Sequence, residues 1–176
     1  MKRNLTSMLF IVGCLMITDS YAQKVIVESN RVIIDASGLR NTTKVKKATG
    51  TNGTNETLGT NNAGNIGSKV SNEKVYYKFE VARANVSSDN LTWINAVYAC
   101  QSLGAGWRLP TQREWQLMRI LESELKASGG FHSFSLAYWA ATEVDAGNSW
   151  TVGNVNAVTI YESKKSKSNA RCIKDL

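Results

Sequence analysis

The chain has 176 residues and a formal net charge of +7, from 21 Lys and Arg residues against 14 Asp and Glu residues. Its length suits one domain with some additional chain. The positive excess favours anionic partners such as acidic glycans, lipid head groups or nucleic acid, and a soluble basic surface without such a partner is the alternative. The single histidine, His132, argues against a metal centre, which needs several converging ligands. We therefore expect neither a metal nor a cofactor.

The first 22 residues have the pattern of a secretory signal peptide. A positive start at Lys2 and Arg3 precedes the apolar run 8–17, and small residues before Gln23 suit cleavage after Ala22. The run is too short to span a bilayer, so no transmembrane segment is expected. Residues 11–14 also resemble a lipobox, and lipidation of Cys14 is the alternative. Both interpretations predict a secreted or cell-surface protein, for which nucleic acid is the least favoured partner.

Residues 23–35 form a short β-rich segment, in which two apolar runs flank Ser29 and Asn30 and predict a hairpin. An isolated hairpin is marginal in water, so these strands need a surface to lie on, either in their own domain or in a partner. Residues 36–73 are dominated by Asn, Gly, Thr and Ser and predict a flexible linker.

The predicted domain covers residues 74–176. Residues 75–81 alternate as in a strand. The next helix starts at Asn90 or Thr92, presents an apolar face that includes Trp93, and ends at Gly104.

A second helix carries the clearest local signal. Thr111 and Glu114 have the spacing of a capping box, with Pro110 just before it. Apolar residues then recur at helical spacing from Trp115 to Leu125, and the segment ends at two glycines, 129 and 130. The capping role accounts for Glu114.

Later segments predict strands at residues 137–142, 150–152, 158–161 and 170–173, with a polar, lysine-rich hairpin tip at residues 162–169. Helices precede strands without βαβ alternation, so the fold class is α+β with an antiparallel sheet.

Two cysteines, Cys100 and Cys172, remain after removal of the signal peptide. An even pair in an exported protein predicts a disulfide, and two buried free thiols are the alternative.

The motif residues of the predicted domain occur in the order and spacing of a known family. They resemble the C-terminal domain family named for a collagen-like adhesin, which implies a C-type-lectin-like fold with two helices and a twisted antiparallel sheet. The residues that carry the resemblance are Trp93, Ala96, Cys100, Leu103, Gly106, Trp107, Arg108, Leu109, Pro110, Thr111, Glu114, Tyr138, Trp139, Trp150, Arg171 and Cys172.

The corner from Arg108 to Thr111 is also similar to the formylglycine-generating (sulfatase-modifying) enzyme family. Oxidases of that family need a reactive cysteine pair that binds copper, whereas the pair here is expected to form a structural bridge. Their later GNVWEW signature has only a partial counterpart, GNSWTV, at residues 147–152. The resemblance to classical C-type lectins covers the fold alone. Their calcium-binding triplets are missing from the sequence, which implies no lectin-type calcium site.

Nothing in the sequence predicts an enzyme. There is no nucleophile elbow, P-loop or dinucleotide fingerprint. Glu122 and Glu124 are two residues apart on one helix, face different directions and cannot act as a dyad.

The candidate ligand-binding residues are Trp150, which follows a polar loop, and the basic cluster of Lys164, Lys165, Lys167 and Arg171. Lysines at a hairpin tip can attract an acidic polymer, or they can guard a strand edge against pairing with other chains.

The sequence therefore predicts an exported, non-catalytic, adhesin-like binding module that recognises an acidic glycan or a surface protein. The first alternative is an accessory subunit of a fimbria-like assembly, in which the N-terminal strands pair with a neighbouring chain. The second alternative is an oxidase of the formylglycine-generating type. The sequence gives no oligomeric state.

Overall fold

The computed structural model describes residues 23–44, 74–134, 137–153 and 158–176. The predicted signal peptide with Cys14, and residues 45–73 of the predicted linker, lie outside these ranges. Ten strands and three helices occur in the described part of the chain. They are β1 (Lys24–Glu28), β2 (Arg31–Asp35), β3 (Thr42–Thr43), β4 (Val75–Tyr76), β5 (Lys78–Val81), α1 (Trp93–Gln101), β6 (Trp107–Arg108), α2 (Gln112–Ile120), α3 (Glu122–Ala127), β7 (Tyr138–Glu143), β8 (Asn148–Val152), β9 (Thr159–Ser163) and β10 (Ile173–Asp175). The fold is α+β, as predicted.

The larger sheet has the strand order β1-β2-β5-β10-β6, and all its neighbours are antiparallel. The hairpin expected around Ser29 and Asn30 is present as β1 and β2. Strand β2 pairs along its length with β5, and Val32 and Ile34 are fully buried. The N-terminal segment therefore does not stand apart from the rest of the domain. Of the two N-terminal strands, β2 already has two neighbours, and only β1 lies at an edge of the sheet. In the assembly alternative, β1 is therefore the strand that would pair with a neighbouring chain.

The start of the predicted linker is part of the fold. Strand β3 pairs in parallel with β4, and the backbone of Ala36 donates a hydrogen bond to the carbonyl of Tyr77 at 2.8 Å. Ala36 is buried and Leu39 packs against the core. The burial of these two apolar residues and the backbone hydrogen bonds offset the conformational entropy lost when residues 36–44 are ordered. The composition of the segment did not indicate these contacts.

Strands β3 and β4 form a separate two-stranded sheet. A three-stranded antiparallel sheet, named the smaller sheet below, has the order β7-β8-β9. The strand after β9 crosses to the other sheet, where β10 lies between β5 and β6. The expectation of a hairpin with its tip at residues 162–169 is therefore wrong, because β9 and β10 are not neighbours. The last strand also begins at Ile173 rather than at residue 170.

The helix termini follow the local sequence. Helix α1 follows Thr92, whose side chain makes no capping hydrogen bond, and Gly104 beyond its end has a φ of +118° that favours glycine. Both hydrogen bonds of the capping box between Thr111 and Glu114 are present at the start of α2. The predicted second helix is divided at Leu121 into α2 and α3.

The core has two parts. One joins the larger sheet to α2 and to strands β7 and β8, and includes Trp115. The other surrounds α1 and contains Trp93, Trp139 and the predicted disulfide between Cys100 and Cys172, which is confirmed with a Cα–Cα distance of 5.5 Å. No helix in the described part of the chain is long and apolar enough to cross a membrane.

Candidate functional site

The corner formed by residues 107–114 contains a buried network of charged side chains. Arg108 lies on β6 with only 1% of its surface exposed. Its Nη1 donates to Glu114 Oε2 at 2.7 Å, and its Nη2 donates to Glu114 Oε1 at 2.9 Å and to Asp175 Oδ1 at 2.6 Å. The antiparallel pairing of β10 with β6 brings Asp175 beside this guanidinium. One buried cation is thus held between two buried carboxylates.

Glu114 has further partners in the same corner. Its carboxylate accepts hydrogen bonds from the backbone N–H of Thr111 at 2.9 Å and of Tyr76 at 3.0 Å. Burial by itself would lower the pKa of Arg108, but the carboxylates of Glu114 and Asp175 outweigh it and raise that pKa above its ordinary value. Glu114 therefore joins α2, β4 and β6, a larger role than the helix cap that the sequence predicted.

The neighbouring motif residues complete the corner. Leu109, Pro110 and Thr111 are buried, and Trp107 is half-buried. The carbonyl of Pro110 accepts a hydrogen bond from the backbone N–H of Ala141 at 2.7 Å, which joins the corner to β7. The motif thus connects the larger sheet to the smaller sheet, and each of these residues has a structural role.

Arg171 lies inside the protein rather than at its surface, contrary to its assignment as a ligand-binding residue. Its Nη1 donates to the carbonyls of Ala82 and Arg83, and its Nη2 donates to the carbonyl of His132. Its guanidinium lies 5.0 Å from the ring centroid of Phe131. Burial lowers the pKa of Arg171, and the nearby Tyr138 opposes this effect. Arg171 fastens three loop carbonyls and is not placed to contact an external anion.

Lys164 is also buried, which corrects its prediction as a surface residue. Its Nζ donates to Glu143 Oε1 at 2.7 Å and lies 4.2 Å from the centroid of the Trp93 ring. The carbonyl of Lys164 accepts from the backbone N–H of Trp93 at 3.1 Å, so the chain leaving β9 packs against the start of α1. Lys165 and Lys167 are exposed. The predicted basic cluster therefore separates into structural and surface residues.

We expect Lys164→Met to lower the free energy of unfolding by about 3 kcal/mol, because the buried Glu143 carboxylate loses the ammonium group that neutralises it. Urea unfolding followed by far-UV circular dichroism measures the change. The matched control is Lys165→Met, an exposed neighbour for which we expect a change within about 0.5 kcal/mol. Equal stabilities of the two variants would contradict a structural role for Lys164.

A partly exposed aromatic pair lies on the smaller sheet. Trp150 on β8 is directly opposite Tyr161 on β9, with their ring centroids 6.1 Å apart in an edge-to-face arrangement. Trp150 is half-buried, as predicted for a partly exposed residue, whereas Tyr161 is 63% exposed. Tyr161 was not among the predicted ligand-binding residues. Its position in a predicted strand, next to a polar turn, was the feature of the sequence that could have indicated its exposure.

The remaining candidates have ordinary surroundings. His132 is exposed, and the ranges that the structure describes contain no group of three or more His, Cys, Asp or Glu residues that could hold a metal. Cys100 and Cys172 are bonded to one another and fully buried. Glu122 accepts hydrogen bonds from Arg119 and from the backbone N–H of Phe134.

Comparison with known proteins gives no assignment. No protein-family model matches this chain, and no curated protein matches it. The function must therefore be argued from the residues themselves.

Proposed function

We propose that this chain is an exported, non-catalytic binding module with a C-type-lectin-like fold, and that it recognises an acidic glycan at or beyond the cell surface. The observation that carries the proposal is the aromatic pair of half-buried Trp150 and exposed Tyr161, beside a turn with two exposed lysines. Tyr161 and Lys165 are four residues apart, or roughly 13 Å of extended chain. Aromatic side chains offer apolar contact area to a sugar ring, and lysines attract its acidic groups.

The disulfide supports export. Disulfides persist mainly in oxidising compartments, and the bond between Cys100 and Cys172 connects α1 to the residue before β10 in the centre of the fold. The signal-peptide pattern in residues 1–22 agrees with this interpretation.

The buried ionisable groups support a binding module rather than an enzyme. Arg108 binds Glu114 and Asp175, Lys164 binds Glu143, and Arg171 binds backbone carbonyls. Buried ionisable groups are candidates for catalysis when nothing else accounts for their burial. Here each is held by partners that join secondary-structure elements, so its burial has a structural explanation.

The proposal is tested by binding to immobilised heparin over a range of salt concentrations. We expect the protein to bind at low salt, and the double variant Lys165→Gln/Lys167→Gln to bind several-fold more weakly and with a shallower salt dependence, because fewer counterions are exchanged.

The matched control removes two exposed lysines elsewhere, as Lys24→Gln/Lys126→Gln. It has the same net charge as the test variant, and we expect it to retain most of the binding. Failure of the unmodified protein to bind heparin at low salt would overturn the acidic-glycan proposal. Equal losses in the two double variants would show attraction by net charge without a site.

A further inference from the structure

Three buried side-chain polar atoms in the described part of the chain have no hydrogen-bond partner. They are Gln112 Oε1, Arg119 Nε and Trp150 Nε1. Buried polar groups in native proteins are nearly always paired, and one that is not lowers stability. The side chain of Arg119 is only 6% exposed, so its free N–H is well inside the protein. These three groups need an explanation that the fold does not supply.

All three residues belong to one interface, between α2 and the smaller sheet. Gln112 and Arg119 are seven residues apart, which places them on the same face of α2 two turns apart. The backbone N–H of Gln112 donates to Thr142 Oγ1 at 2.8 Å, and Arg119 Nη2 donates to the carbonyl of Gly153 at 3.0 Å. This face of α2 is thus fixed to the end of β7 at one point and to the end of β8 at the other.

Trp150 lies between those two contacts. Alternate residues of a strand share a face, so the side chain of Trp150 is on the same side as that of Val152. Val152 is fully buried in the core that contains Trp115 and Met118 of α2, and Trp150 packs against that core. The indole of Trp150 is therefore on the side of the sheet that faces α2, with Gln112 and Arg119.

The free groups have the chemistry of a site for hydroxyl groups. They comprise two N–H donors and one carbonyl acceptor, and a sugar hydroxyl both accepts and donates. The charge of Arg119 is balanced by Glu122, whose Oε2 accepts from Nη1 at 3.0 Å. A site with no net charge selects hydroxyls rather than sulfate or carboxylate. The rings of Trp150 and Tyr161 add the apolar surface that binding sites for small rings need.

We propose that Gln112, Arg119 and Trp150 form a site for the hydroxyl groups of one sugar ring, covered by the side chain of Tyr161. This inference rests on the proposed function and assigns ring recognition to a place distinct from the two lysines. The three polar atoms are out of reach of solvent, so entry requires a side chain to move. Tyr161 is the exposed neighbour of Trp150, and its side chain is the one that we expect to move.

The test uses a heparin hexasaccharide as the probe, titrated into the full chain at two salt concentrations. Two variants remove these polar groups. Gln112→Met replaces the whole amide, Oε1 and Nε2, with an apolar group of similar size, and Trp150→Phe removes Nε1 and retains an aromatic ring. We expect each to bind the hexasaccharide several-fold more weakly with an unchanged salt dependence. The hexasaccharide is also expected to shift the indole N–H resonance of Trp150, in the unmodified protein and, at saturation, in Lys165→Gln/Lys167→Gln.

A stability measurement separates this role from a structural one. An acceptor kept for a ligand has no partner in the protein, so Gln112→Met is expected to raise the urea unfolding midpoint while it weakens binding. A lower midpoint would show that ordered water or another internal contact uses Oε1, and would overturn the proposal. Hexasaccharide binding that depends on the lysines but is unaffected by Gln112→Met and Trp150→Phe would also overturn it, and would leave the proposed function intact. If the unmodified protein does not bind heparin, the proposed function fails first.

Discussion

Replacement of Glu114 by Gln is expected to lower the free energy of unfolding by about 3–5 kcal/mol, the range for removing one partner of a buried ion pair. The substitution retains the size of the side chain but removes its charge. Arg108 then remains buried with only the Asp175 carboxylate to balance it. The amide that replaces one carboxylate oxygen would also direct a donor at donors, because that carboxylate accepts from the guanidinium and from the backbone of Thr111 and Tyr76.

Urea unfolding measured by far-UV circular dichroism and by tryptophan fluorescence tests this prediction. The control is Glu124→Gln on α3, where the carboxylate is exposed, and its expected change is within about 0.5 kcal/mol. A double-mutant cycle with Arg108→Met then measures the coupling, which we expect to be strongly non-additive because the two side chains contact each other directly. A loss below about 1 kcal/mol in Glu114→Gln would contradict the anchoring role of this carboxylate.

Removal of the disulfide in Cys100→Ala/Cys172→Ala is expected to destabilise the protein by about 4 kcal/mol. The bond joins residues separated by 72 positions. A cross-link that closes a loop of this length lowers the conformational entropy of the unfolded chain, which stabilises the folded protein by about 4 kcal/mol. Both sulfurs are fully buried in the part of the core that contains Trp93 and Trp139, so lost packing adds to the effect. Thermal unfolding of the variant beside the unmodified protein measures it.

Burial of the same bond gives a second readout. A thiol reductant cannot reach the sulfurs in the folded protein, so labelling of the freed cysteines is expected to be slow in buffer and fast in urea. Rapid labelling in buffer would show that the region around α1 opens without global unfolding. Mass spectrometry that finds unpaired cysteines in exported material would contradict the bridge itself and would reopen the oxidase alternative.

Local chemistry made part of this fold predictable. The capping box is recognised from Thr111 and Glu114 three residues apart. The end of the first helix is recognised from a glycine, Gly104, that follows the last apolar residue of the helical pattern. Each signal lies within one turn of the chain, so the sequence contains the whole interaction. The pairing of Cys100 with Cys172 was predictable for a different reason, since these are the only two cysteines after residue 22 and each has one available partner.

Contacts between distant segments were not predictable in the same way. Lys164, Lys165 and Lys167 lie in one polar run, and nothing in that run distinguishes the lysine that is buried against Trp93. The distinction arises where the chain leaving β9 meets the start of α1. Asp175 likewise lies 67 residues from Arg108, and only the pairing of β10 with β6 joins them.

The candidate site shows the same limit. Trp150 was selected because a polar loop precedes it, which is a local feature. Gln112 and Arg119 were not selected, since their significance depends on how α2 lies across β8, and a polar residue on a helix is usually solvated.

The central position of β10 has a consequence for the order in which this protein acquires its structure. This strand separates β5 from β6, yet it is the last of the described strands along the chain. In a nascent chain that ends at β9, β5 and β6 cannot join one sheet, because β10 is the strand that pairs with both. Assembly must await residues 173–175, and such dependence on remote contacts slows folding and prolongs exposure of apolar segments. Under the proposed export, the larger sheet cannot close before β10 has crossed the membrane, so the chain stays unfolded while the preceding residues are translocated.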